Sequence, residues 1–159
     1  MVHPDKTRLV DFRSPAHSDR RYGNGNDAGR PKTFDLLGFT HFWGKTYKGN
    51  WVVRRKTMKS RLARSIQKID QLCRSHRHMP IGEQWKKLCE KVRGHYSYYG
   101  ITGNHRSLGK FLVQVQRSWR RWLDRRTNKW KLTWEKFQCI LKRCPLPVPN
   151  IAHSIFKRK

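Results

Sequence analysis

The sequence predicts a mainly α fold, a basic bundle of three to four helices preceded by a short β-hairpin, and three observations lead there. Apolar residues recur three or four apart from Met58 to Leu123, the period of a helix with one buried face. Two aromatic and β-branched runs between Thr33 and Thr57 flank a Lys-Gly-Asn turn. Lys and Arg number 37 against 10 Asp and Glu, a formal charge of +27 on 159 residues, so the helices' outer faces must be cationic.

Lys6 to Phe12 (KTRLVDF) reads as a short strand, and Ser14 to Lys32, rich in Gly, Asn, Asp, Ser and Pro, as a loop. A loop this long inside a compact domain is either functional or a tolerated insertion. In the hairpin, TFDLLGFTHFWG pairs with WVVRRKT across KTYKGN, and Gly38 is expected at a bulge or a close backbone approach. After Arg55 the period changes. Met58, Leu62, Ile66, Ile69, Leu72 and Cys73 share an arc of about 120°, with Lys59, Arg61, Arg64, Lys68, Arg74 and Arg77 outside it. Pro80 separates a second helix carrying Trp85, Leu88, Cys89, Val92, Tyr96 and Tyr99 inward, weakened near its end by Gly94. Gly100 to Asn104 makes a turn. Leu108, Phe111, Leu112, Val115, Trp119, Trp122 and Leu123 define a third helix, and Arg117, Arg120, Arg121, Arg125 and Arg126 crowd its C-terminal half, where cations complement the helix dipole. A short fourth helix runs from its N-cap Thr133 to Lys142 with Trp134, Phe137, Ile140 and Leu141 inward. Pro145, Pro147 and Pro149 end it, and the last ten residues are extended. Three segments result: 1–55, 56–130 and 131–159.

A chain of this charge repels itself unless it meets a polyanion. Seven Trp, five Tyr and seven Phe interleave with the cations, so phosphate counterions lie beside flat faces able to stack on bases. Nucleic acid is the expected partner. Basic clusters along the whole length tell against an acidic protein meeting one patch, and no apolar run approaches the roughly 18 to 20 residues that span a bilayer. No membrane partner is expected. Met1 to Val10 has no signal-peptide core and the C-terminus no lipidation motif, so the expected location is cytoplasmic.

Cys73, Cys89, Cys139 and Cys144 lack the spacing of a zinc site or a disulfide scaffold and read as buried thiols. Cys73, His76 and His78 with Cys89 come nearest to a metal cluster, but ordinary helix-end histidines account for them. Asp5, Asp11, Asp19, Asp27 and Asp35 form no close pair able to hold two metal ions, and Gly23, Gly25 and Gly29 precede no helix that could cradle a phosphate. The chain reads as a binding module with no catalytic residue, metal or cofactor. Its candidate nucleic-acid contacts are Lys56, Lys59, Arg61, Arg64, Arg117, Arg120, Arg121 and Arg125 for backbone, and, around RGHYSYYGITGN, His95, Tyr96 and Tyr98 for unpaired bases with Arg93 and Arg106 holding the backbone and Asn104 beside them. Helical register equally allows Tyr96 and Tyr99 as core residues.

From these strings the chain resembles, over nearly its whole length, the C-terminal part of bacterial group II intron-encoded reverse transcriptases, the maturases. HPDKTRLVDF at 3–12 is similar to the segment after the catalytic aspartate block, and FDLLGFTHFW at 34–43 to the last palm block. Residues 56 to about 126 resemble the maturase-specific region or thumb, and PLPVPNIAHSIF the Pro-rich tail. The resemblance implies that residues 1–55 are the end of a palm, and that Leu37, Gly38 and Phe39 belong to the hairpin positioning the primer end. It implies that the helices grip group II intron RNA, assisting its splicing, or a template–primer duplex. The family's Tyr-Ala-Asp-Asp-type motif and earlier catalytic aspartate do not occur in this sequence. The chain alone is therefore not expected to be an enzyme, and magnesium belongs only to the intact polymerase. Three alternatives stay open: one half of a split RNA-directed DNA polymerase completed by a separate fingers and palm polypeptide, a stand-alone RNA-binding protein of ribosomal type, and an intron remnant without a selected role.

Overall fold

A computed structural model describes Val10, Phe12, Ser14 and residues 32–126 and 131–154. The predicted loop at 14–32, apart from its end residues Ser14 and Lys32, and most of the predicted strand at 6–12 lie outside the described residues; Val10 and Phe12 themselves are not in a strand. The chain divides into two compact units, one ending at Met58 and one beginning at Lys59.

The first unit is a three-stranded antiparallel sheet, β1 (Phe34–Leu36), β2 (Phe39–Lys45) and β3 (Trp51–Thr57), in the order β1-β2-β3. The expected hairpin is β2–β3, paired from Phe39–Thr57 to Lys45–Trp51. Its first run is not one strand. Leu37 and Gly38 have φ of 50° and 81°, a two-residue turn whose twist suits antiparallel strands, so the run folds back and Gly38 marks a turn rather than a bulge. One face of this sheet is aromatic. Phe34 stacks on His41 with centroids 4.7 Å apart, and Phe12 packs between Phe34 and Trp43 while its carbonyl accepts the Trp43 indole N–H at 3.1 Å. On the other face Lys56 Nζ lies 5.0 Å over the Phe42 ring.

The second unit holds four helices, α1 (Lys59–Ser75), α2 (Ile81–Tyr99), α3 (His105–Asp124) and α4 (Trp134–Arg143). Their apolar stripes meet in one core: Ile69 and Cys73 from α1, Leu88, Val92 and Tyr96 from α2, Leu108, Phe111, Val115 and Trp119 from α3, and Phe137 from α4. Within it Trp119 Nε1 donates to Gln84 Oε1 at 3.1 Å, and Gln84 Nε2 donates to the Met79 carbonyl at 2.8 Å, which fastens the α1–α2 turn to the core. Thr133 caps α4, its hydroxyl accepting from the Lys136 amide, as its position before the apolar repeat predicts. Trp134 corrects the predicted inward face of α4, because it is exposed and the Arg120 guanidinium covers its ring at 4.5 Å.

The Pro-rich segment after α4 returns along α2. The Pro145 carbonyl accepts the Trp85 indole N–H at 2.8 Å, and His153 bridges to Ile101, its amide donating to the Gly100 carbonyl at 2.8 Å. Gly100 is required at this crossing. A Cβ there would stand 2.3 Å from the Tyr96 carbonyl oxygen and 2.9 Å from that of Asn150.

Candidate nucleic-acid interface

Helical geometry sorts the cations of the second unit before any ligand is considered. On α1, Arg61, Arg64 and Lys68 fall within an arc of about 60°, while Arg74 points away from them. On α3, Arg106, Lys110, Arg117 and Arg121 fall within another arc of about 60° that extends some 22 Å along the axis. These are separate edges of the bundle.

At the α1–α2 edge, Arg61 and Arg64 reach Tyr99 electrostatically. Burial pushes the Tyr99 hydroxyl pKa up, neighbouring Tyr98 adds to the rise, and the two guanidiniums pull against it. Tyr98 stands 55% exposed with its ring edge-on to Tyr99 at 4.7 Å. Predicted base and backbone contacts therefore meet here in Tyr98, Arg61 and Arg64.

At the α1–α3 edge a cluster forms that sequence reasoning missed. Trp122 is almost buried, and the guanidiniums of Arg125, Arg74 and Arg121 lie 5.0, 5.8 and 5.8 Å from its ring centroid. Asp70 joins two members of this cluster: its carboxylate accepts from Trp122 Nε1 at 2.8 Å and pairs with Arg121. Burial alone would raise the Asp70 pKa, but the hydrogen bonds from Trp122 and Arg121 and the Arg121 charge outweigh it and hold it below the usual carboxylate value. The signal was present in the sequence, since Asp70 is the lone carboxylate of a helix with five cations.

Other predicted contacts are placed differently. Arg117 and Arg125 are exposed, as are Lys59, Arg93 and Arg106. Arg120 is committed within the fold, donating to the Leu132 carbonyl at 2.7 Å and covering Trp134. Lys56, Leu37, Gly38 and Phe39 belong to the sheet unit, where Leu37 is 76% exposed at the tip of the β1–β2 turn.

His95, Tyr96 and Asn104 are corrections. His95 stacks on Phe111 with centroids 3.8 Å apart, and burial pushes its pKa down to about 4, so it is a neutral core residue at physiological pH. Tyr96 is 3% exposed, and burial pushes its hydroxyl up to about 12. Asn104, 1% exposed, donates from its amide to the Tyr99 carbonyl at 2.8 Å. All three are buried, His95 and Tyr96 on the last turns of α2 and Asn104 at the start of α3.

The metal-like residues also have other partners. His76 contacts the Leu72 carbonyl through Nδ1 and the Lys87 ammonium through Nε2, both at 2.9 Å, and His78 Nε2 accepts from Arg77 at 2.8 Å. Cys73 is buried with its thiol pushed up to about 12, chiefly by burial. Cys139 corrects the expectation of four buried thiols, being exposed. Among the described residues no three candidate metal ligands come together, and no helix is long and apolar enough to cross a membrane.

A helical unit with two cationic edges, one bearing an exposed tyrosine and one an arginine-ringed indole, has the makings of a polyanion-binding surface. Residues 62–140 match the family described as the group II intron, maturase-specific domain, a stretch running from α1 through most of α4. The match supports a maturase-type reading of this unit. Neither the curated proteins nor the solved structures gave a match to the chain.

Proposed function

We propose that the helical unit binds structured group II intron RNA and, as the maturase-type part of an intron-encoded reverse transcriptase, favours the RNA's splicing-competent fold. The observation that carries this reading is that the family match coincides with the cationic stripe Arg106, Lys110, Arg117 and Arg121 on α3. That stripe suits a run of phosphates, while Arg61, Arg64 and Tyr98 offer a second contact where an unpaired base can stack. A protein that binds the competent RNA fold more tightly than misfolded ones shifts the population toward it by the difference in affinity. The chain acts by binding in this reading, without catalytic residue or cofactor of its own.

A second reading, template–primer binding as one part of a split polymerase, is favoured by the tight β1–β2 turn, whose exposed Leu37 suits contact with a nucleic-acid end. A separate fingers and palm polypeptide would then bring the carboxylates and magnesium.

Splicing of a group II intron RNA at limiting magnesium, with and without the chain, tests the first reading. Faster splicing with the chain is expected. An unchanged rate under saturating binding leaves RNA binding and removes the maturase role.

A further inference from the structure

At the C-terminal end of α1 the surface opens into a depression of about 360 Å³ lined by Gln71, Arg74, Ser75, Arg77 and His78. Its lining has no carboxylate, two guanidiniums, a hydroxyl, a carboxamide and an imidazole. The depression is open to solvent, and its volume exceeds what one phosphate group requires.

The walls are held in place. Gln84 Nε2, fixed to the core through Trp119, donates to the carbonyls of Arg77 at 3.3 Å and Met79 at 2.8 Å. Arg126 Nη2 donates to the His78 carbonyl at 3.3 Å, and Arg77 Nε donates to His78 Nε2 at 2.8 Å. The Arg74 guanidinium, one wall of the depression, also lies 5.8 Å from the Trp122 ring centroid. The backbone wall of the depression is thus preorganised, and its polar side chains differ in kind: charge suited to phosphate, a carboxamide suited to a base edge, and the Ser75 oxygen, whose hydroxyl donates to the Leu72 carbonyl at 3.1 Å, as an acceptor.

We propose that this depression is a nucleotide pocket, taking one unpaired nucleotide extruded from the bound RNA, with its phosphate on Arg74 and Arg77 and its base against Gln71, Ser75 and His78. The proposal rests on the RNA-binding reading and adds what the RNA must present. A regular duplex has no nucleotide to offer it, whereas a bulge or loop does.

The experiment compares two RNA hairpins of equal length and charge, one fully paired and one with a single extruded nucleotide, at about 0.15 M salt. The unaltered chain is expected to bind the bulged hairpin about tenfold more tightly, the scale of one stacked or hydrogen-bonded base. Gln71→Trp fills the depression without removing charge and should bring the two affinities within about twofold while leaving paired-hairpin binding unchanged. Ser75→Leu, in the same lining, is the companion variant, and the thermal melts of both should match that of the unaltered chain. Equal affinity of the unaltered chain for both hairpins overturns the pocket and leaves RNA binding standing. A bulge preference surviving in both folded variants overturns it also. Binding to neither hairpin overturns the pocket and the RNA reading together.

Discussion

The carboxylate of Asp70 on α1 accepts a hydrogen bond from Trp122 Nε1 on α3 at 2.8 Å, tying the two helices at the edge where Arg74, Arg121 and Arg125 gather. The same carboxylate pairs with Arg121, one of the three guanidiniums around that indole. Asp70→Ala is expected to cost about 2 kcal/mol in a denaturant melt, since a nearly buried indole N–H loses a charged acceptor. The exposed Arg121 partner contributes less, so Arg121→Ala should cost under about 1 kcal/mol. Because the folded Asp70 pKa is lowered, its stabilisation is present above the unfolded carboxylate pKa and is lost as pH falls through the folded one. Asp70→Ala should remove that acid sensitivity.

Exposed and internally bonded arginines in and just after α3 should behave differently. Arg117→Ala with Arg125→Ala is expected to flatten the salt dependence of RNA binding by about two phosphate contacts, because both side chains are exposed. Arg120→Ala should instead cost about 1 to 2 kcal/mol of stability, since Arg120 holds the Leu132 carbonyl and covers Trp134. An unchanged slope in the double variant would make that edge a solvated face.

Trp119 is fully buried and its indole N–H is spent on Gln84. Trp119→Ala should lose about 3 to 5 kcal/mol of folding stability, from the cavity and from the carboxamide oxygen left without its donor. A loss under about 1 kcal/mol would take Trp119 out of the core.

His95 makes stability pH-dependent. Its folded pKa, pushed down to about 4 by burial, lies below the unfolded value of 6.5, so the unfolded chain binds the proton more readily between them. Stability contributed by the neutral imidazole is complete above about pH 6.5 and falls by up to about 3 kcal/mol as pH drops toward 4. His95→Phe should abolish this slope, because Phe can keep the stack on Phe111 without a titrating nitrogen. A pH-independent melt of the unaltered chain would contradict the buried neutral state.

What could be read from the chain alone followed from periodicity. Leu62, Ile66, Ile69 and Cys73 repeat at helical spacing because they pack on one side, and Thr133 sits where a cap must sit. The Leu37-Gly38 turn escaped notice because Leu rarely accepts a φ of 50°, so the pair lacks the Asn-Gly cue of such turns. His95 looked like a surface contact because a histidine beside tyrosines at a helix end carries no sign of the Phe111 face that covers it. The return of the Pro-rich segment to Trp85 and Gly100 depends on contacts between distant residues that leave no local pattern.

The central claim is that this polycation recognises a folded intron RNA rather than phosphate at large. Titrating the purified chain against group II intron RNA and an unrelated structured RNA of equal length, across about 50 to 200 mM salt, addresses it most directly. A preference for the intron RNA that persists through that range is the predicted result. Equal affinities that collapse together by orders of magnitude would contradict it, leaving only non-specific attraction to the phosphate backbone.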